Sequence, residues 1–269
     1  MYVPKSDGCK RKLSIPDLIL KQVQKSISDN ILIQYPVSRY AKAYKPGSSV
    51  QKNARPHVGK KKILKLDIEG FFDHILYSHV KDIVFYKEKY SEPIRILLTV
   101  LCYYHDSLPQ GAPTSPAITN IIMYDFDETV GAFCNAENIA YTRYCDDMTF
   151  SGDFNEKEII GFVKNELSKL GLFLKNRKTV VVPSAKRQTV TGIVVYEKIN
   201  LTRDYKRKIR QEMYFIKKFG LDGHLKKIGV SNKEQYILSL KGRIAFVLQT
   251  IPNNGEFLDY KKFLSLIPR

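Results

Sequence analysis

Two stretches of this chain alternate apolar and polar residues and then meet an acid. Ile63-Leu64-Lys65-Leu66-Asp67-Ile68 sets Leu64, Leu66 and Ile68 on one side, with Lys65 and Asp67 on the other. A period of two is that of a β-strand. Further on, Tyr144-Cys145-Asp146-Asp147 leads into Met148-Thr149-Phe150-Ser151, where Met148 and Phe150 share one face and Thr149 and Ser151 the other. Neighbouring strand residues face opposite ways, so two adjacent acids reach one point only where the chain turns. The pattern predicts a β-hairpin over residues 140–151 with Cys145-Asp146-Asp147 at or near its turn.

Two adjacent carboxylates and a third from a distant strand are the donor set of a two-ion phosphoryl-transfer site. Carboxylate oxygens suit Mg²⁺, and two ions about 3.5–4 Å apart clamp both the attacking and the leaving oxygen. Asp-Asp is by itself a common surface dipeptide; its apolar setting gives it weight.

A chain of 269 residues can hold a full core and more than one lobe. Its net charge of +17 is segregated. Residues 1–66 carry 15 Lys/Arg against 3 acids, residues 67–200 carry 14 against 18, and residues 201–269 carry 15 against 6. Basic ends flanking an acidic middle suit a polyanion gripped on both sides of a metal-binding centre. Zinc is not expected. Cys9, Cys102, Cys134 and Cys145 show no C-x-x-C spacing, and His74 and His79 match no zincin or finger pattern. With no apolar signal segment and no long apolar run, the expectation is a cytoplasmic, reduced protein with no membrane partner.

Along the chain, Tyr2–Ser14 reads as a basic hairpin around Asp7-Gly8, and Pro16 opens a helix with Ile19, Val23, Ile27 and Ile31 on one face. Residues 36–62 are loop-like and basic. Residues 75–106 read as mostly helical, broken near Ser91-Glu92-Pro93, with Asp73 as an N-cap before His74. A rigid loop, Leu108-Pro109-Gln110-Gly111-Ala112-Pro113-Thr114-Ser115-Pro116, precedes a helix from Ala117 to about Gly131. A helix over 156–170, strands over 172–182 and 188–199, and helices over 203–219 and 233–250 complete the expectation.

The ordered segments LKLDIEGFF, LPQGAPTSP, YTRYCDDMTFS, GLFLKNRKT and VTGIVV span residues 63–195 and resemble the palm of reverse transcriptases. Asn53-Ala54-Arg55-Pro56-His57 resembles the N-A-x-x-H element of retron reverse transcriptases, and Val190-Thr191-Gly192 their V-T-G element. The resemblance implies an α+β right-hand polymerase: fingers over 1–62, a palm of antiparallel sheet and helices over 63–199, and a small basic helical thumb over 200–269. It implies an RNA-directed DNA polymerase that turns part of a cognate structured noncoding RNA into branched RNA-linked DNA, in antiphage defence.

The roles it implies are specific. Asp67, Asp146 and Asp147 would hold two Mg²⁺ ions. Phe72 would exclude a 2′-hydroxyl, while Phe71 belongs to the core. Gln110 and Gly111 would line the deoxynucleotide pocket, and Lys178 would face the leaving phosphates. Lys45, Arg55, Lys52 and the run Lys60–Lys62 all compete for the triphosphate. Asn53, His57, Val190, Thr191 and Gly192, with Lys206, Arg207 and Arg210, would serve RNA recognition. The partners are the noncoding RNA, its DNA product, dNTPs and a separate effector, since no effector domain is recognised in the chain. Two departures stand out: Cys145 replaces the usual Ala, and fewer residues precede Tyr2–Ser14. Rival readings are a group II intron-like or abortive-infection reverse transcriptase, or an RNA-binding scaffold restraining an effector.

Overall fold

The computed structural model describes residues 2–4 and 10–267. Strands β1 (Tyr2–Pro4) and β2 (Lys10–Lys12) pair antiparallel, Tyr2 opposite Lys12. The Asp7-Gly8 turn and Cys9 lie outside the described residues. Helix α1 (Leu18–Asn30) starts where the Asp17 carboxylate accepts from the Leu20 N–H. Only the C-terminal half of its predicted stripe is covered: Ile27 is buried, whereas Ile19 is 77% exposed.

The basic loop that follows contains a short helix, α2 (Val50–Ala54), capped by Ser49, and a turn over Arg55–His57. Next comes β3 (Lys62–Asp67). The predicted helix over 75–106 splits into a π-helical segment, His79–Val84, and α3 (Glu92–Cys102). Asp73 caps nothing; it lies in the turn after β3, its N–H bonded to the Gly70 carbonyl. The predicted helix after the Pro-rich loop breaks at Met123 into α4 (Ser115–Ile122) and α5 (Tyr124–Ala136).

The predicted hairpin is β4 (Ala140–Tyr144) and β5 (Asp147–Gly152), joined through Cys145-Asp146. Helix α6 (Glu156–Ser168) follows, capped by Asn155. The remaining strands are shorter than expected: β6 (Val180–Pro183), β7 (Thr189–Val190), β8 (Ile193–Val195) and β9 (Ile199–Leu201). Helix α7 (Arg203–Ile228) outruns its predicted end, kinking at Gly220, where φ is 72°. Helix α8 (Lys233–Thr250) matches, and α9 (Gly255–Ser265) was not foreseen.

The main sheet runs β4-β5-β3-β6, antiparallel throughout. Leu64, Leu66, Met148 and Phe150 bury one face with Phe126 and Val130 of α5 and Val163 and Leu167 of α6. A second core joins β7–β9 to α7, α8 and α9 and includes Ala54 of α2 and Ile63 of β3. The basic loop, the sheet and the C-terminal helices are therefore packed together. A fixed close approach sets the loop's path: a Cβ on Gly131 of α5 would lie 2.0 Å from the Tyr40 ring. That ring sits there because the helix offers no side chain, and it brings residues 40–44 alongside β4.

Candidate active site

The register of the sheet assembles the carboxylates. Asp67 ends β3 directly opposite Asp147, the first residue of β5. Asp146 occupies the turn between, where the Ile68 N–H donates to its carbonyl at 3.1 Å. Cys145 takes φ 61°, a left-handed conformation uncommon outside glycine, which lets the chain reverse within two residues. Cross-strand neighbours have Cβ atoms about 4.5–5.5 Å apart, and like charges placed so repel. Burial, then Asp146 and Asp67, push the Asp147 carboxyl up to about 6. One cation relieves this: the Lys178 ammonium lies 2.5 Å from Asp67 Oδ2. That contact raises the Lys178 pKa. A cleft lined by Tyr44, Asp67, Phe72, Gln110, Asp146 and Lys178 opens here.

These residues fit divalent cations by their chemistry: hard oxygen donors only, mutually repelling, with an ammonium already standing against one carboxylate. Among the described residues no three acidic, His or Cys side chains are already gathered as a metal cage.

A buried network beneath the turn escaped the sequence reading. Arg143 is fully buried. Its Nε donates to Asp127 Oδ1 at 2.8 Å and Oδ2 at 3.1 Å, and its Nη2 to Asp127 Oδ2 at 2.6 Å and Asn120 Oδ1 at 3.2 Å. Its Nη1 donates to the Cys145 carbonyl at 2.9 Å, which holds the β4–β5 turn. Tyr141 donates to the same Asp127 carboxylate at 2.8 Å. Asn120 Nδ2 donates to the Ala43 carbonyl at 3.0 Å, and the Lys42 N–H donates to the Arg143 carbonyl at 2.7 Å. Helices α4 and α5 and the β4–β5 turn thus meet on one guanidinium, and loop 40–44 joins them through Asn120 and the Arg143 carbonyl. The signal was present. Arg143 pairs across to Met148 and Tyr141 to Phe150, so Arg143 occupies an inward-facing position of the hairpin. A charge there must find a buried partner.

Loop 40–44 ends at Tyr44, a second non-glycine residue in the left-handed region, with φ 57°. Its hydroxyl donates to Cys145 Sγ at 3.3 Å. Burial and the neighbouring Asp146 push the Cys145 thiol up to about 12. It is therefore a packed, protonated thiol rather than a nucleophile.

The other sequence-derived residues fall into two groups. Phe72 is half-buried at the cleft, edge-on to the buried Phe71 at 5.6 Å between ring centroids. Gln110 lines the cleft, and its carbonyl accepts from the Ser14 N–H at 2.8 Å. Gly111 has φ 119°, but the backbone approaching it is that of Ser14, whose carbonyl would lie 3.3 Å from a Cβ. The close approach expected for a base pair is made by the chain itself. Lys45 is turned away from the cleft, its ammonium bonded to the Val37 and Ser38 carbonyls at 3.2 and 3.3 Å. Arg55 is exposed, beginning the turn after α2. Neither Lys45 nor Arg55 lines the cleft.

Asn53, His57 and Val190, expected to read RNA, are buried. His57 is wedged between Ser151 Oγ at 2.6 Å and Thr142 Oγ1 at 2.8 Å, bracing β4 and β5 from below. Asn53 Nδ2 reaches Thr191 Oγ1 at 3.4 Å, so the two short elements contact each other. Val190 packs in the second core, while Thr191 and Gly192, both with positive φ, form the tight turn of a β7–β8 hairpin. Direct RNA contact by Asn53, His57 and Val190 is therefore corrected to internal bracing.

Burial holds His57 down at about 3, against an ordinary 6.5. Between those values the unfolded chain binds a proton that the folded chain refuses. Each pH unit of acidification then removes about 1.4 kcal/mol of stability, present at neutral pH and lost as pH falls. Urea midpoints of wild type and His57→Gln check this. The variant should lose less stability on going from about pH 6 to about pH 4; parallel losses would refute the assignment.

In the C-terminal helices Arg210 is engaged within the protein. Its fork grips Glu256 at 2.7–2.9 Å and ties α7 to α9. Lys206 donates to Asn200 Oδ1 at 2.9 Å, and Arg207 makes an exposed pair with Asp204.

The family model for reverse transcriptase (RNA-dependent DNA polymerase) matches residues 3–195. The chain is 31% identical over 209 residues to retron Ec86 reverse transcriptase of Escherichia coli, covering 77% of this chain and 65% of that protein. It is 29% identical over 280 residues to retron Mx65 reverse transcriptase of Myxococcus xanthus, covering 97% and 63%. The chain thus spans a little under two thirds of the length of these two relatives. A foamy viral protease–reverse transcriptase, solved with double-stranded DNA, superposes with a TM-score of 0.52 at 16% identity, over 91% of this chain and 35% of that one. The fold is that of a right-hand polymerase. Among the described residues no helix is long and apolar enough to cross a membrane.

Proposed function

Because this chain belongs to the reverse transcriptase (RNA-dependent DNA polymerase) family, we propose that it copies RNA into DNA at the cleft between β3 and the β4–β5 turn. The observation that carries this reading is the placement of Asp67 opposite Asp147 with Asp146 in the adjoining turn. The three carboxylates would hold two Mg²⁺ ions, which would supply activation of the primer hydroxyl and charge stabilisation for the departing pyrophosphate. Lys178, which stands against Asp67 Oδ2, would face the leaving phosphates and neutralise their charge.

Phe72 borders the sugar of the incoming nucleotide and excludes a 2′-hydroxyl by bulk. Phe72→Val should raise ribonucleotide use relative to dNTPs by at least about tenfold, since pocket size alone carries this discrimination. Single-nucleotide incorporation kinetics measure the ratio; an unchanged ratio removes Phe72 from the role. Gln110 contacts the same nucleotide or its template partner.

The retron resemblance extends the proposal to a cognate structured noncoding RNA, a branched RNA–DNA product, and antiphage defence through a separate effector. The test is synthesis by the full chain on RNA transcribed from the sequence beside its gene. After ribonuclease treatment the DNA should keep a ribonucleotide attached through its 2′-oxygen. A product with a free 5′ end would leave RNA-directed synthesis standing and remove the branched product.

A further inference from the structure

Far from the carboxylates, a basic trough surrounds an exposed aromatic ring. Tyr196 follows β8, is 62% exposed, and is fixed by the Gly59 N–H, which donates to its carbonyl at 2.7 Å. Gly59 leads into Lys60, Lys61 and the Lys62 end of β3, whose other end is Asp67. At about 3.3 Å per strand residue, the trough lies about 20 Å from the catalytic carboxylates. Three adjoining hollows meet at the Tyr196 ring and are lined by Lys60, Lys186, Arg187, Lys198 and Arg203, with Glu197 the one acid lining them. Two further lining cations have partners: Lys61 pairs with Asp153 at 2.6 Å, and Lys206 donates to Asn200 Oδ1 at 2.9 Å. Among the described residues, none of those five lining cations is held in an ion pair.

We propose that this trough binds a single-stranded stretch of nucleic acid outside the polymerase cleft, with one base stacked on Tyr196 and the flanking phosphates on Lys60, Lys186, Arg187, Lys198 and Arg203. Five unpaired cations around three adjoining hollows repel one another, and a phosphate backbone relieves that repulsion at several points at once. The ring supplies what a simple charged patch lacks, a flat face for a base. A duplex is a poor occupant, because its bases are already stacked on each other. The site is distinct from the catalytic cleft; the inference rests on the reading that the chain handles nucleic acid but not on which strand it extends. The strand is either RNA approaching the cleft or DNA leaving it, and these share the same chemistry.

The experiment uses the full chain and two variants, Tyr196→Ala and the double replacement Lys186→Glu with Arg187→Glu. Fluorescent oligouridine and oligothymidine report single-strand affinity across a salt series. Extension of a short hairpin primer–template, which ends within the cleft, reports the polymerase. Each variant should bind single strands about tenfold more weakly, the loss expected of one stacked base or two phosphate contacts. The double variant should also flatten the slope of log affinity against log salt by about 1.4. Hairpin extension should match wild type. Loss confined to oligouridine identifies an RNA strand, loss confined to oligothymidine a DNA strand, and either supports the site. Wild-type affinity and slope in both variants would overturn it and leave the surface to a protein partner. A wild-type chain that binds single strands through Tyr196 yet extends nothing would refute the polymerase reading alone.

Discussion

Asp146→Asn is expected to abolish DNA synthesis, by at least about a thousandfold, while leaving the protein as stable as wild type or slightly more so. The amide keeps the shape of the turn, and the bond from the Ile68 N–H to the Asp146 carbonyl is untouched because it is backbone. What disappears is one of three mutually repelling charges. Asp147, held up to about 6 partly by Asp146, relaxes toward the ordinary carboxylate range. Relief of repulsion stabilises the fold, whereas loss of a hard oxygen donor removes several kcal/mol of transition-state stabilisation. Opposite signs for stability and activity mark a site organised for cations rather than for its own stability. Thermal unfolding and steady-state incorporation measured on the same preparation check both halves. A variant that loses activity only because it unfolds would contradict the account.

Asp127→Asn is expected to cost about 3–5 kcal/mol, because it strands the fully buried Arg143 guanidinium without its counter-charge. That is a large share of the roughly 5–15 kcal/mol that separates folded from unfolded domains. The effect should reach the active site, since the same guanidinium holds the Cys145 carbonyl. Urea unfolding measures the loss. Asp204→Asn, which breaks the exposed pair with Arg207, serves as the control and should change stability by less than about 1 kcal/mol. Equal losses from the two variants would refute the role given to the buried network.

The sequence disclosed what depends on local period. Strand β3 and the β4–β5 hairpin were legible because apolar residues alternate there, and two adjacent acids had to fall at a turn. Helix α8 and most of α7 were legible for the same kind of reason. Features set by distant contacts were not. Gly131 reads as an ordinary helix residue until the Tyr40 ring is seen lying on it. Helix α9 follows too soon after Pro252-Asn253-Asn254 and is too short to announce itself, although Asn254 caps it by accepting from the Phe257 N–H. Asn53, His57 and Val190 were misassigned because a short pattern shows that residues matter without showing which way they face. His57 faces two strand hydroxyls, not solvent. The partners of Lys45 and Arg210 were not legible, because a cation counted in a sequence carries no record of the carbonyl or carboxylate it is bonded to. Tyr44 gave no signal at all. It reaches the cleft only through the parallel run of residues 40–44 beside Arg143.

The central claim is that Asp67, Asp146 and Asp147 form one cation-dependent centre that builds DNA on an RNA template. Incorporation of labelled dNTPs on a primed RNA template in Mg²⁺, by the full chain and by the Asp146→Asn, Asp147→Asn double variant, tests it most directly. The account predicts template-length DNA from the wild type, none when the cation is chelated, and none from a double variant that still folds and binds the template. DNA synthesis at wild-type rate by the double variant would contradict it.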